Sequence, residues 1–387
     1  MYIRTEKRRR SSPIRVLILL ILILGGVYIL TERRDVLKPL GPTPTPTLTA
    51  QYYVAQGDEL AWQGKYEQAI AAYVQAAEQD PSQPTGYARA SRLLAFRGKH
   101  GEALRQAKLA AVAAPDNAEA QAALCMALDW DGQYDDAITA CLKAIDLNPN
   151  YAEAYAYLAE AYADKAIWSK ALEMAQKAVE LNGRSVDAHR NLGYVFERQG
   201  KYRQAIEALQ KAIEINPKLS HLHITLGRNY LLMNKTDLAI AQFQSAVEVD
   251  PDSAEAWDYL GWGYLTNQDY KRAIPYLEKA IAIDPERASA YGRLGIAYYV
   301  QRNYEAAIPT FRKGLELGLD SIEYYYMLGL AYSYLDRCEE AIPWLQRALE
   351  IDPLALPAIQ GMMACDEKYM PPPLPTPQPT TQRPQGR

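Results

Sequence analysis

The sequence predicts an all-α protein, a solenoid of nine helical hairpins with a C-terminal cap helix, preceded by one transmembrane helix. Two observations predict the solenoid: prolines recur every 34 residues, and a column of alanines repeats with the same period. The third observation is an uncharged apolar run near the N-terminus, which predicts the membrane span. Since a single hairpin cannot bury its apolar faces, stacked neighbours are needed to complete the core.

The chain begins with a basic segment, residues 1–13, which precedes a predicted transmembrane helix over residues 14–31. The run from Val16 to Leu30 is uncharged, and with its flanks it reaches roughly 27 Å, close to a hydrocarbon core of about 30 Å. A cleaved signal peptide is the alternative, but no small-residue cleavage site follows the run. More Lys/Arg precede the span than follow it, so the positive-inside rule predicts a cytoplasmic N-terminus and an extracytoplasmic body.

Two proline-rich segments flank the predicted repeats. Residues 32–50 form a Pro/Thr-rich linker, for which extended polyproline II is expected. Residues 371–387 form a Pro-rich tail, which we expect to be disordered. The alternative for the tail is a ligand for a groove, including a groove of this protein itself.

The repeats span residues 51–353, and each contains two helical stretches separated by a turn. A lattice proline follows the second stretch and ends it, since proline has no N–H and disfavours helix in the preceding residue. The lattice prolines are Pro81, Pro115, Pro149, Pro217, Pro251, Pro285 and Pro353. A small residue such as Gly57 or Gly193 recurs in the first stretch and lets the two helices approach closely. Residues 354–370 are predicted to form a cap helix that covers the last repeat.

The four cysteines are too few for a disulfide scaffold, and without a CxxC pair a zinc site is not expected. Cys338 and Cys365 should lie near each other through stacking of the cap helix, which predicts a disulfide in an oxidising compartment or two buried thiols otherwise. Cys125 and Cys141 fall in close-packing columns, and we expect them to be packing residues.

The repeat pattern resembles the tetratricopeptide repeat, and the overall layout resembles bacterial membrane-anchored proteins of that family. In repeat five the signature positions hold His189, Leu192, Gly193, Phe196, Tyr202, Ala205, Leu209, Ala212 and Pro217. The resemblance covers about residues 50–353 and implies a right-handed α-solenoid. There are departures from the pattern: Ser91 and His100 replace the usual Gly and Tyr in repeat two. Prolines inside the last three second helices should remove a backbone bond and bend them; these are Pro275, Pro309 and Pro343.

The resemblance implies that the first helices line a concave groove that binds partners. One zone is acidic and aromatic, with Glu119, Asp129, Trp130, Glu153, Tyr157, Glu160 and Asp164. The predicted partner-binding residues are Trp130, Tyr157, Arg190, Asn191, Tyr194, Arg198, Arg228, Tyr259, Trp262, Arg293 and Tyr299. Arg, Tyr and Trp are the types that dominate interface energetics. The alternative is that each side chain is solvated or packs on a neighbouring repeat.

Composition and motifs favour protein partners. Residues 39–370 carry 31 Lys/Arg against 43 Asp/Glu, a balance that disfavours nucleic-acid binding. No phosphate loop, nucleophile motif or metal-ligand cluster is found in the sequence, so no cofactor, metal or small-molecule substrate is expected. An enzyme is disfavoured because no residues remain for a catalytic domain.

The leading hypothesis is a scaffold in the bacterial cytoplasmic membrane that binds proteins or extended peptides outside the cytoplasm. The alternative is an adaptor of the same fold that faces the cytosol, similar to a co-chaperone. The carboxylate-clamp spacing of chaperone-binding relatives is not reproduced in the first three repeats, which disfavours binding of chaperone tails.

Overall fold

The structure, a computed structural model, describes residues 12–32, 49–366 and 368–371. These residues contain 20 α-helices and no strand, so the predicted all-α class is confirmed for them. The helices are α1 (Pro13–Glu32), α2 (Ala50–Trp62), α3 (Tyr66–Gln79), α4 (Pro84–Phe96), α5 (His100–Ala113), α6 (Ala118–Trp130), α7 (Tyr134–Leu147), α8 (Ala152–Asp164), α9 (Trp168–Leu181), α10 (Val186–Arg198), α11 (Tyr202–Ile215), α12 (Ser220–Leu232), α13 (Thr236–Val249), α14 (Ala254–Thr266), α15 (Tyr270–Ile283), α16 (Ala288–Val300), α17 (Tyr304–Glu316), α18 (Ile322–Ser333), α19 (Cys338–Ile351) and α20 (Leu356–Cys365).

The chain divides into two units, residues 1–48 and 49–387. In the first unit, α1 occupies the position predicted for the transmembrane segment. Among the described residues, however, no helix meets the length and apolarity needed to cross a membrane. The transmembrane prediction for residues 14–31 is therefore not confirmed. Most of the predicted basic segment, linker and Pro-rich tail lies outside the described residues.

In the second unit, α2 to α19 form nine consecutive hairpins. Each hairpin stacks on the next, and first helices of consecutive repeats also contact one another, as α4 with α6 and α6 with α8. The first helices therefore line one side of the stack. The predicted cap helix is present as α20, which packs on α18 and α19 and is shorter than the predicted 354–370.

The turn inside each hairpin requires a left-handed backbone at one position, which recurs every 34 residues. Glycine holds this position at Gly64, Gly98, Gly132 and Gly200, with φ between 71° and 80°. Other residues hold it at Ala166, Asn234, Gln268, Arg302 and Asp336, with φ between 56° and 60°. Residues with a Cβ are strained in this region, so the turn geometry is imposed by the two packed helices as well as by the local sequence.

The second helix of most repeats ends in an Asx turn. Asn148, before a lattice proline, has an extended backbone, and its Oδ1 accepts a hydrogen bond from the N–H of Asn150 at 3.1 Å. Asp80 and Asn216 make the same bond two residues on. The side-chain oxygen of the Asn or Asp accepts a hydrogen bond from a backbone N–H that has no helical partner beyond the end of the helix. The proline prevents the helix from continuing.

In six of the nine hairpins, a glycine of the first helix packs against a larger residue 16 positions later. A Cβ on Gly227 would lie 2.4 Å from Cε1 of Phe243, so no side chain fits there without a shift. In repeat three the same two positions hold Cys125 and Cys141, which form a disulfide with Cα atoms 5.2 Å apart. The interpretation of these two cysteines as packing residues is therefore wrong, because the two helices approach closely enough at this contact to form a disulfide.

The second disulfide joins Cys338 at the start of α19 to Cys365 at the end of α20. Their Cα atoms lie 5.1 Å apart, which is the proximity expected from stacking of the cap helix. The bond attaches the cap helix to the last repeat.

The three second helices that contain internal prolines are continuous. Pro275, Pro309 and Pro343 lie inside α15, α17 and α19. Each proline removes one backbone donor near the beginning of its helix. The packed neighbours keep these helices intact, and the bend expected at the prolines stays a prediction.

Candidate functional site

Polar side chains on the first helices pair with the repeat before or after them, at separations near 30 residues. Arg89 bonds to Glu119, and Arg190 bonds to Glu160. The separation equals the 34-residue period less one helical turn of about four residues, so it reflects side chains that cross between adjacent first helices. The inner surface of the solenoid is therefore a series of charge pairs.

Glu160 of α8 is the centre of one such group. Arg190 is only 7% exposed, and its Nη2 and Nη1 donate to the two carboxylate oxygens of Glu160 at 2.6 and 3.2 Å. The indole N–H of Trp130 donates to the same carboxylate at 3.0 Å. The Arg190 guanidinium also lies 5.5 Å from the ring centres of Trp130 and Phe96. These cation–π contacts hold the guanidinium in place.

Tyr157 and Asn191 are also buried. The Tyr157 hydroxyl donates to Asp187 at 3.2 Å. Asn191 is fully buried, and its side-chain amide has no hydrogen-bond partner among the described residues. Arg190, Tyr157 and Asn191 therefore depart from the expectation of side chains open to a partner, because the neighbouring first helices cover them.

Three other predicted residues lie nearer to solvent. Tyr194 donates its hydroxyl hydrogen to Asp164, and the Arg198 side chain lies against the same carboxylate and is 46% exposed. The Arg228 side chain is 42% exposed and contacts Glu197 at 3.1 Å. The guanidinium groups of Arg198 and Arg228 keep donors available on the groove surface, whereas the hydroxyl hydrogen of Tyr194 is used by Asp164.

The remaining predicted residues fall into two groups nearer the C-terminus. The Arg293 guanidinium lies 4.7 Å from the Trp262 ring and 5.1 Å from the Tyr259 ring, and it pairs with Asp258 at 2.7 Å. Tyr299 is separate from these residues and packs among other tyrosines of repeats eight and nine. The predicted set is therefore divided over several places in the solenoid.

Contacts across the solenoid join repeats one and two to repeats six and seven. The Phe96 ring stacks on the His221 ring, with 4.0 Å between the ring centres. Arg97 forms an ion pair with Asp250, and the Tyr66 hydroxyl donates to the Lys218 carbonyl. Sequence reasoning missed these contacts, since their residues are not separated by multiples of 34 and share no column of the repeat, as with Arg97 and Asp250, which are 153 apart. They arise from the superhelical path of the chain, for which no local signal exists.

Two of the cavities near this contact are lined mainly by residues of the first helices. The larger, about 600 Å³, has Trp62, Arg92 and Asp187 among its lining residues. The smaller, about 410 Å³, is lined by residues of repeats two to seven that include Asp129 and Glu160. The pKa of Asp129 is raised to about 9, mainly by burial and also by the neighbouring carboxylates Glu160 and Asp164, while Arg190 opposes the shift.

Comparison with solved structures shows the same fold in other proteins. The APC/C hetero-tetramer Cut9–Hcn1 is 16% identical with a TM-score of 0.59, covering 81% of this chain and 75% of that one. The human IFIT1 dimer with PPP-AAAA is 23% identical with a TM-score of 0.54, covering 79% and 73%. PilF of Pseudomonas aeruginosa is 18% identical with a TM-score of 0.51, covering 55% and 97%. A search of curated proteins found no significant match.

Family models for the tetratricopeptide repeat match along the chain. They match residues 57–89, 131–165, 186–219, 224–288, 264–331 and 322–353. Together the matches cover more than half of the chain, and all of them lie within the helices α2 to α19 and their connections. The 34-residue period, the small residues at the helix contact and these matches agree, and the chain belongs to the tetratricopeptide-repeat family.

Proposed function

We propose that the protein is a membrane-anchored scaffold that binds other proteins or extended peptides in the groove lined by its first helices. The larger cavity is the observation that carries the proposal. It combines an exposed aromatic ring, Trp62, with guanidinium groups of Arg89 and Arg92 and with Asp187 from a repeat further along the chain. Tryptophan and arginine side chains are enriched at protein interfaces and carry much of their binding energy.

The inner surface offers paired charges that a partner can exchange. Arg89 contacts both Asp58 and Glu119, with its side chain about one-third exposed. Arg92 contacts Asp187 at 2.9 Å. A peptide carboxylate could replace one of these internal partners bidentately, as arginine favours. The excess of Asp and Glu over Lys and Arg in residues 39–370 supports protein partners over nucleic acid. The proposal involves neither a cofactor nor a catalytic step.

The membrane part of the proposal rests on sequence and on the cysteines. The apolar run Val16–Leu30 supports an anchor, and the basic residues before it support a cytoplasmic N-terminus. Two disulfides, Cys125–Cys141 and Cys338–Cys365, are typical of proteins in oxidising compartments. We infer that the solenoid faces outward from a bacterial cytoplasmic membrane.

The groove is tested by crosslinking pull-down of the full chain beside a double variant, Trp62→Ala with Arg184→Ala. Both side chains are exposed at the larger cavity, so the variant should fold normally. We expect recovery of partners to fall by about tenfold, equivalent to about 1.4 kcal/mol. The matched control, Arg203→Ala with Glu207→Ala on exposed positions of the second helix α11, should recover partners like the wild type. Equal recovery by the groove variant would contradict the proposed site.

Orientation is tested by the state of the thiols in living cells. Living cells are quenched with acid, which stops thiol exchange, the protein is then unfolded in denaturant that contains an alkylating reagent, because Cys125 and Cys141 are fully buried in the folded chain, and the labelled cysteines are counted. We expect none of the four cysteines to react, because both pairs are oxidised outside the cytoplasm. Four labelled cysteines would favour the alternative, an adaptor that faces the cytosol.

A further inference from the structure

Asp129 is anomalous on the wall of the smaller cavity. The residue is 3% exposed, and neither carboxylate oxygen has a hydrogen-bond partner among the described residues. A buried carboxyl group without a partner is costly, whether it is ionised or protonated. Residues at the same position in the adjacent repeats, Ala95 and Ala163, are apolar and buried, so packing alone does not call for a carboxyl group here.

Repeat five shows what satisfies a carboxylate at this position. Glu197 is the equivalent of Asp129, and it accepts hydrogen bonds from Arg228 at 3.1 Å and from the Asn229 amide at 2.6 Å. The residues one repeat after Asp129 at the corresponding places are Glu160 and Ala161. Asp129 therefore faces a second carboxylate where Glu197 faces a guanidinium, and a positive charge is missing from this place.

The charged side chains around the cavity do not supply the missing positive charge. Arg190 is committed to Glu160 through two hydrogen bonds, and Arg228 is paired with Glu197. The cavity wall also contains Asp164 and Glu255, so its carboxyl groups outnumber its guanidinium groups by four to two. The cavity accordingly favours a ligand with a positive charge.

We propose that this cavity binds the ammonium group of a lysine side chain presented by a bound partner protein, which rests on the proposed protein-binding function. An ammonium group is compact and has three donors, enough for both oxygens of Asp129 and for one neighbouring carboxylate. The rings of Phe96 and Trp130 line the same cavity and can cover the methylene stem of the lysine. The bound cation takes the place that Arg228 has in repeat five.

The test uses the full chain in detergent, labelled with fluorotryptophan, with the Trp130 signal assigned from a Trp130→Phe variant. The probes are Nα-acetyl-lysine methylamide and Nα-acetyl-norleucine methylamide, which share the apolar stem and differ in the ammonium group. We expect a saturable shift of the Trp130 signal with the lysine probe, with a Kd on the order of 1 mM, and none with the norleucine probe.

Two substitutions separate the site from its surroundings. Asp129→Asn should weaken binding of the lysine probe by about tenfold or more while the thermal melt remains cooperative. Asp131→Asn removes an exposed carboxylate two residues away and should leave the Kd unchanged. The inference is overturned by a lysine probe that does not bind, by equal binding of the norleucine probe, or by an unchanged Kd in Asp129→Asn. Each of these results can occur while the pull-down still identifies groove partners, so the two proposals can fail separately.

Discussion

Buried charged side chains in this protein are stabilised mainly by a partner in the adjacent repeat. Glu160 is nearly buried, yet it is satisfied by Arg190 and Trp130, which reach it from the repeats on either side. Breaking such a pair leaves an uncompensated buried charge, which is usually more damaging than never having had the pair. Asp129 is the exception, since the residue that faces it is also acidic.

The pH dependence of stability should report Asp129 directly. Its pKa is about 9 in the folded protein, because burial raises it, and about 4 in the unfolded chain. The folded state therefore holds an extra proton on Asp129 between these values, and the contribution of this group to stability should fall as pH rises from about 4 to about 9, by up to about 1.4 kcal/mol per pH unit.

The Asp129→Asn variant cannot titrate at this position, so its stability should fall less steeply with pH. We expect its advantage over the wild type to grow from pH 5 to pH 8 in denaturant unfolding measured at each pH. The control Asp131→Asn should follow the wild type. Parallel curves for wild type and Asp129→Asn would contradict the assignment.

At the scale of the helix and turn, the recurring left-handed position shows how packing overrides local preference. Gly200 adopts φ 71° at no steric cost, whereas Ala166 holds φ 56° at the same place in the preceding repeat. The hairpin closes in both cases because the two helices on either side are packed against each other. The alanine therefore carries strain that the helix contacts offset.

Substitutions at these two positions should change the free energy of unfolding in opposite directions. Ala166→Gly should raise the free energy of unfolding by about 0.5 kcal/mol, because relief of strain exceeds the added flexibility of the unfolded chain. Gly200→Ala should lower it by about 1 kcal/mol. Thermal and denaturant unfolding of both variants provide the measurement, and changes of the same sign would show that the turns are not equivalent.

At the scale of the whole solenoid, side chains of distant repeats contact one another across the groove. Arg97 and Asp250 are both largely buried where repeats one and two meet repeats six and seven. Burial raises the pKa of Asp250, while the Arg97 guanidinium opposes that shift. The pair and the Phe96–His221 stack together connect two parts of the solenoid that are far apart in the chain.

A charge exchange tests this connection. Arg97→Glu and Asp250→Arg should each lower the free energy of unfolding by about 3 kcal/mol, because each leaves like charges buried together. Small-angle scattering of each single variant should show a larger radius of gyration, because the groove opens. The double variant should recover at least half of the loss, and additive losses would mean that the two residues do not interact.

The sequence by itself determined the elements: the hairpin boundaries, the proline stops, the small residues at helix contacts and the family. These features depend on local geometry and on neighbouring repeats, and a fixed 34-residue period displays both. The repeat pattern also indicated the Cys125–Cys141 disulfide. These cysteines occupy the same two repeat positions as Gly227 and Phe243, which lie in close contact in a later repeat.

The tertiary structure alone decided which groove residues are accessible. Family geometry placed Arg190, Asn191 and Tyr157 on the inner side, but the neighbouring helices bury all three. It also decided that the Phe96 ring stacks on His221 and that the carboxyl group of Asp129 has no hydrogen-bond partner among the described residues. The physical reason is that small rotations between repeats accumulate along a solenoid, so contacts between distant repeats depend on every interface between them.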